Sequence, residues 1–268
     1  ERAAGTGPRE RTGPSEAGPR EAPSPDTPMV AERPHRSVSP PASTASGGAS
    51  AHQPPRWTGA TGIPTRLLLL RHGQTELSVD RRYSGRGDVA LTDLGVRQAE
   101  AAAKRIAALD GLDEAVPIVA SPLTRAARTA RAVADALGGE VVTHRELRET
   151  DFGEWEGLTF TEASQRYPEL HGDWLGDTSV RPPGGESFDE VHRRVRTALD
   201  DVLDRYAGRT VVVVSHVTPI KSVLRTALDA GPSLLFRLHL DLASLSIAEF
   251  YPDDNTSVRL VNDTSHLS

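Results

Sequence analysis

The chain has 268 residues, with 31 basic against 37 acidic side chains, 37 % apolar residues and no cysteine. That composition excludes disulfides, zinc–thiolate sites and thiol chemistry, and its acidic balance argues against non-specific nucleic-acid binding. No stretch approaches the roughly 20 consecutive apolar residues of a membrane-spanning helix.

Residues 1–64 contain no Leu, Phe or Tyr, yet hold 12 of the 20 prolines. Such a segment buries too little apolar surface to offset chain entropy, so a disordered tail or linker is expected there. It lacks the apolar run of a signal peptide, which makes the cytoplasm the default location. The chain opens on Glu1 rather than Met, which fits a fragment fused or linked to an upstream domain. Residues 65–268 are expected to form one domain, with 24 basic against 31 acidic residues.

Within that domain Leu67 to Leu70 read as a buried strand. Thr92 caps a helix to about Leu109, with Val96, Ala99, Ala103 and Ile106 on one face. Val116 to Ala120 form a second strand, and Ser121-Pro122 is expected to open the next helix as N-cap and first-turn proline. Gly138-Gly139 ends that helix, and Glu140 to Thr143 can be a third strand. Residues 145–186 read as irregular or short helices. Ser187 begins a long helix through a capping box to Glu190, with Phe188, Val191, Val195, Leu199, Val202 and Tyr206 on one face. Thr210 to His216 is another buried strand, followed by a helix from about Pro219 to Leu228. Leu245 to Tyr251 and Ser257 to Val261 look like a closing hairpin. Strands apolar on both faces alternate with helices, which predicts a three-layer α/β/α sandwich around a mainly parallel sheet.

In open α/β sheets, ligands bind beyond the carboxyl ends of the strands. There the first strand delivers Arg71-His72-Gly73, the second Ser121-Pro122 with Arg125 close behind, and the "TVVVVSH" strand His216. Two histidines and two arginines on one rim make an anion site. The arginines can fork onto phosphoryl oxygens, a neutral histidine can attack phosphorus, and a carboxylic acid is then needed for the leaving oxygen. The segment "LRETDFGEWEG" offers Glu149 as a candidate acid, with Glu146, Glu154 and Glu156 close by; solvated surface carboxylates are the default there, and only the resemblance described next singles out Glu149.

"LLRHGQT", "YSGRGDVALTDLGVRQA", "SPLTRAARTA", "LRETDFGEWEG" and "VVVVSHVTPIK" together resemble, in order, the signature segments of the histidine phosphatase superfamily, the phosphoglycerate-mutase-like proteins. "RHGQTELS" and "SHVTPIK" are similar to the C-terminal acid phosphatase domain of actinobacterial bifunctional ribonuclease H/acid phosphatase proteins. The ribonuclease H motifs are not in this chain. The resemblance implies His72 as nucleophile and Glu149 as proton donor. Arg71, Arg125, His216 and Gln74 would hold the phosphoryl group, and Ser84 and Gly85 would lie near the substrate. It implies no metal and no cofactor, because the arginines supply the charge. Two positions depart from the family pattern: Ser78 stands where many members have Asn, and Val217-Thr218 where many have Gly-Gly.

The expected function is phosphomonoester hydrolysis on a small phosphorylated metabolite, with no nucleic acid or membrane partner; a homodimer is left open. The alternatives are a phosphoglycerate mutase, an α-ribazole-phosphate phosphatase, or a non-catalytic phosphate-binding module. His144, His171, His192 and His239 are expected at the surface or in packing, none in metal-ligand spacing with another. Arg128 and Arg131 belong to a helix face. Trp155 and Trp174 either wall the substrate pocket or simply pack.

Overall fold

Leu67, Leu68, Leu69 and Leu70 point alternately into two separate cores, because successive strand side chains leave opposite faces of a sheet. Leu67 and Leu69 meet Val191, Val195, Ile220 and Leu224 on one side. Leu68 and Leu70 meet Ala102, Ile106, Ala130 and Val133 on the other. That double burial makes the strand apolar throughout and the molecule three-layered. The computed structural model describes residues 59–268 except Glu114. The tail expected over 1–64 lies, for residues 1–58, outside the described residues. Residues 59–64 lie against the domain: Ala60 is buried, and Thr61 donates its N–H and hydroxyl to the Asp253 carboxylate at 2.8 and 3.0 Å.

In chain order the elements are β1 (Thr65–Arg71), α1 (Glu76–Val79), α2 (Asp93–Ala107), β2 (Ile118–Ala120), α3 (Thr124–Leu137), β3 (Val141–Thr143), α4 (Phe160–Arg166), α5 (Pro168–Trp174), α6 (Phe188–Arg205), β4 (Thr210–Ser215), α7 (Val217–Ala227), α8 (Leu234–Arg237), β5 (Leu245–Phe250) and β6 (Thr256–Asp263). The six strands form one sheet in the order β3-β2-β4-β1-β5-β6. β1 to β4 are mutually parallel, while β5 runs antiparallel to β1 and β6 antiparallel to β5, so the sheet is mixed. Helices α2 and α3 cover one face, α6 and α7 the other. Among the described residues no helix is long and apolar enough to cross a membrane.

Two helix starts differ from expectation. α3 begins at Thr124, not at Ser121-Pro122, and Leu123 provides no side-chain cap. One orphan first-turn donor is met from a distant loop instead: Asp88 accepts the N–H of Thr124, and its hydroxyl as well, each at 2.7 Å. Ser121 still belongs to the ladder, donating its N–H to Val214 O at 2.9 Å. α7 begins two residues before Pro219, which puts the proline in the first turn, where its missing N–H leaves no helix bond unmade.

The turn after β1 is possible only with glycine. A Cβ on Gly73 would stand 2.3 Å from Gly95 O, and one on Gly95 would stand 2.1 Å from Gln74 O. The start of α2 is thereby pressed against the residues that follow His72.

Candidate active site

The parallel register fixes which side chains meet. β4 lies between β2 and β1, and Arg71 pairs with Ser215. His72 and His216, one residue further on each strand, therefore arrive side by side with ring centroids 5.0 Å apart. β2 delivers Ser121, whose Oγ lies 2.8 Å from His216 Nε2.

His72 is buried and its Nδ1 lies 2.7 Å from Gly73 O. A carbonyl can only accept, so Nδ1 carries the proton. Burial lowers the His72 pKa well below the ordinary imidazole value, with Arg125 and Arg71 adding to the effect. The ring is thus neutral near pH 7, and its Nε2 lone pair is free. His216 is neutral for the same reasons: burial first, then Arg125, His72 and Arg71.

Arg71 donates Nη1 to Leu240 O, and its Nε has no partner among the described residues. Burial lowers its pKa to about 10, so it stays charged at neutral pH. Arg125 is completely buried. Its Nη1 donates to Gly87 O at 2.9 Å, and its Nη2 to Gly85 O at 2.7 Å and Ser84 O at 3.3 Å. Glu156 grips the same loop from its amide side, accepting the N–H groups of Gly85 and Gly87 at 2.9 Å. Arg125 thus places its charge beside both histidines while fixing the 84–87 loop.

Glu149 is buried, with Oε1 accepting the Thr150 N–H at 2.8 Å and Oε2 facing the Thr218 N–H at 3.5 Å. Its backbone is held by Arg194 of α6, which donates to the carbonyls of Glu146, Arg148 and Glu149 at 2.6, 2.7 and 2.9 Å. Arg194 also pairs with Glu186, which in turn accepts the Asp151 N–H.

These groups open onto a cleft of about 1090 Å³. Arg71, His72, Glu149 and Ser84 line it; His216, Arg125, Gln74 and Gly85 do not. Gln74 is turned away, its Oε1 accepting the Thr92 hydroxyl at 2.9 Å. Ser78 lines the cleft but also closes a capping box with Thr75. Trp174 walls the cleft, whereas Trp155 packs behind it. His171 is a packing residue, hydrogen-bonded to the Tyr83 hydroxyl at 2.9 Å.

Comparison with known proteins decides the family. The model for the histidine phosphatase superfamily (branch 1) matches residues 67–264. The chain belongs to the histidine phosphatase superfamily. A bifunctional protein of Mycobacterium tuberculosis, Rv2228c, is 62 % identical over 213 residues, covering 80 % of this chain and 58 % of that protein. The chain thus spans less than two thirds of the length of that relative. Phosphoserine phosphatase 1 of Hydrogenobacter thermophilus is 34 % identical, covering 75 % and 94 %. Among solved structures, a mycobacterial glucosyl-3-phosphoglycerate phosphatase superposes with a TM-score of 0.68 at 28 % identity, covering 75 % of this chain and all of that one.

For this superfamily member, sequence reasoning missed Ser121 as the partner of His216, and Arg194. The second left a signal: Arg194 interrupts the apolar stripe of α6, three residues after Val191 and four before Ala198. The 84–87 loop gives a direct test of this scaffold. A Cβ on Gly85 would stand 2.3 Å from Thr150 O and 2.7 Å from Glu156 Oε2. Gly85→Ala is expected to cost about 1–3 kcal/mol as overpacking, a fall in Tm of roughly 3–10 °C by thermal denaturation. An unchanged Tm would mean the loop yields freely.

Proposed function

We propose that this domain hydrolyses phosphomonoesters of small metabolites through a phosphohistidine intermediate. The observation that carries the reading is the neutral His72: Nδ1 is tied to Gly73 O, so Nε2 is left as the nucleophile beside Arg71. In the first step Nε2 attacks phosphorus, the P–O ester bond breaks, and its electron pair leaves on the ester oxygen. Protonated Glu149 gives that oxygen its proton. In the second step the Glu149 carboxylate takes a proton from water, the water oxygen attacks phosphorus, and the N–P bond breaks. Neutral His72 and protonated Glu149 are restored, and the net change is hydrolysis. Arg71 meets the phosphoryl oxygens; Arg125 and His216 stabilise them from behind, one by charge and one by its ring N–H. Relatives named as phosphatases support this reading. The test is release of inorganic phosphate from a panel of phosphomonoesters, with 3-phosphoglycerate included. Interconversion of phosphoglycerates without phosphate release would establish a mutase instead.

The protonation state predicts a pH dependence. His72 works only when neutral, and its folded pKa lies well below 6.5. The acid limb of kcat/KM, which reports the free enzyme, is therefore expected well below pH 6.5. An acid limb at 6.5 or above would contradict a buried, neutral nucleophile. Stability follows the same linkage with its own sign. The unfolded chain binds protons at His72 and His216 near pH 6.5 while the folded chain does not. Stability is thus full above that pH, falls as pH drops below it, and levels off beneath the folded pKa values.

A further inference from the structure

The cleft has two unlike sets of lining residues: Arg71, His72 and Glu149, and an aromatic wall of Tyr83, Phe152, Phe160, Trp174 and Phe188. Five of the chain's twelve Phe, Trp and Tyr residues line this single cleft; Tyr83, Phe152, Trp174 and Phe188 also pack in one buried cluster with Trp155 and Leu235, which leaves Phe160 as the exposed ring of the wall. The rings brace one another: Tyr83 stacks on Phe160 at 4.7 Å and 19°, and Trp174 meets Phe188 at 4.9 Å. Phe160, on the short helix α4, is nevertheless 52 % exposed. One face of its ring rests on Tyr83, and much of the remainder is left to water.

The wall offers almost no hydrogen bonding. The Tyr83 hydroxyl is engaged with His171, the Trp174 N–H is covered with no partner among the described residues, and phenylalanine has no polar atom. A sugar hydroxyl placed there would lose water and gain nothing. An ammonium group fares worse, since Arg71, Arg81, Arg82 and Lys221 line the cleft against the side-chain carboxylates of Glu149 and Asp241, Arg82 being paired outside it with Glu162.

We propose that the aromatic wall is a leaving-group subsite for alcohols that carry a flat apolar ring. This rests on the phosphatase reading above and specifies its substrate class. A ring in the subsite is stacked against Phe160 and the edges of its neighbours, the arrangement that aromatic pairs prefer.

The test holds leaving-group basicity nearly constant. kcat/KM is measured for 2-phenylethyl phosphate, ethyl phosphate and phosphoserine, all alkyl esters. The phenyl ester is expected to exceed ethyl phosphate by about 10- to 100-fold, the range for burying one phenyl-sized group, and to exceed phosphoserine by at least as much. Phe160→Ala should cut the phenylethyl-to-ethyl ratio at least about fivefold, and Phe160→Leu should cut it less. The ratio is independent of the fraction of folded enzyme. Binding of 2-phenylethylphosphonate against ethylphosphonate by calorimetry reads the subsite without turnover. Equal Kd values together with equal kcat/KM values would overturn the subsite and leave the phosphatase reading intact. Tighter binding of the phenyl phosphonate with no hydrolysis of any ester would support the subsite and overturn the phosphatase reading. A preference for phosphoserine would overturn the proposed substrate class.

Discussion

His72→Ala is expected to lower turnover by about 10⁴-fold or more, the scale seen when a covalent nucleophile is removed. The fold should survive, because His72 belongs to neither core that flanks the sheet and ends its strand at the cleft. Near-native circular dichroism and Tm alongside lost activity would separate chemistry from unfolding. The intermediate gives a sharper check. Phosphohistidine is acid-labile and survives alkali, so a labelled phosphoenzyme should be lost on acid quench and kept on alkaline quench. The hydrogen bond to Gly73 O further predicts that the phosphoryl group sits on Nε2. Phosphorylation at Nδ1, read by NMR of the trapped enzyme, would contradict the tautomer. Substantial residual hydrolysis by the variant with unchanged KM would remove His72 from the nucleophile role.

Glu149→Gln should produce the second largest effect, and one that depends on the substrate. Two side-chain carboxylates line the cleft, Glu149 and Asp241. The Asp241 carboxyl is held below its ordinary pKa by hydrogen bonds from Asn262 and His239, which favours its ionised form. The neighbouring acids are spoken for elsewhere: Glu154 accepts the Tyr167 hydroxyl at 2.6 Å, Glu156 holds the glycine loop, and Asp151 accepts the Gly153 N–H. An alkyl alkoxide leaves poorly and needs the proton, whereas a nitrophenolate hardly needs it. Single-turnover phosphoryl transfer from alkyl phosphates should therefore slow by about 10² more than transfer from nitrophenyl phosphate. Single turnovers are required because both substrates share the same dephosphorylation of His72. Equal slowing of both would make Glu149 a binding or structural residue.

Arg194 extends the same reasoning. It grips three carbonyls around Glu149 from behind, so its loss should mimic the leaving-group dependence of Glu149→Gln more weakly.

Much of this molecule is encoded locally. Leu67 to Leu70 and Val211 to Val214 are apolar at every position because both faces of their strands are covered, and that pattern is visible in one short run. The capping box of Ser187 and Glu190, the cap of Thr92 and the left-handed Gly138 depend on residues within one turn, so α6, α2 and the end of α3 were legible too. Arg71, His72 and His216 were legible because they punctuate such strands. What depends on distant segments was not. Ser121 reads as a helix cap because the chain alone does not show that β4 will bring His216 against its hydroxyl; Asp88, 36 residues before Thr124, does the capping instead. Gln74 follows His72 closely in the chain, yet its side-chain oxygen accepts the Thr92 hydroxyl, 18 residues on. That both Nη groups of Arg125 would also hold the 84–87 loop could not be read from the chain alone. The aromatic wall gathers Tyr83 and Phe152 from loops, Phe160 and Trp174 from the short helices α4 and α5, and Phe188 from the start of α6, segments far apart in the chain. Sequence determined the strands, their rim residues and the chemistry these can perform, because periodicity and capping are short-range. Tertiary structure decided which donor meets which acceptor and what surrounds the leaving group, because those depend on register and packing between segments far apart in the chain.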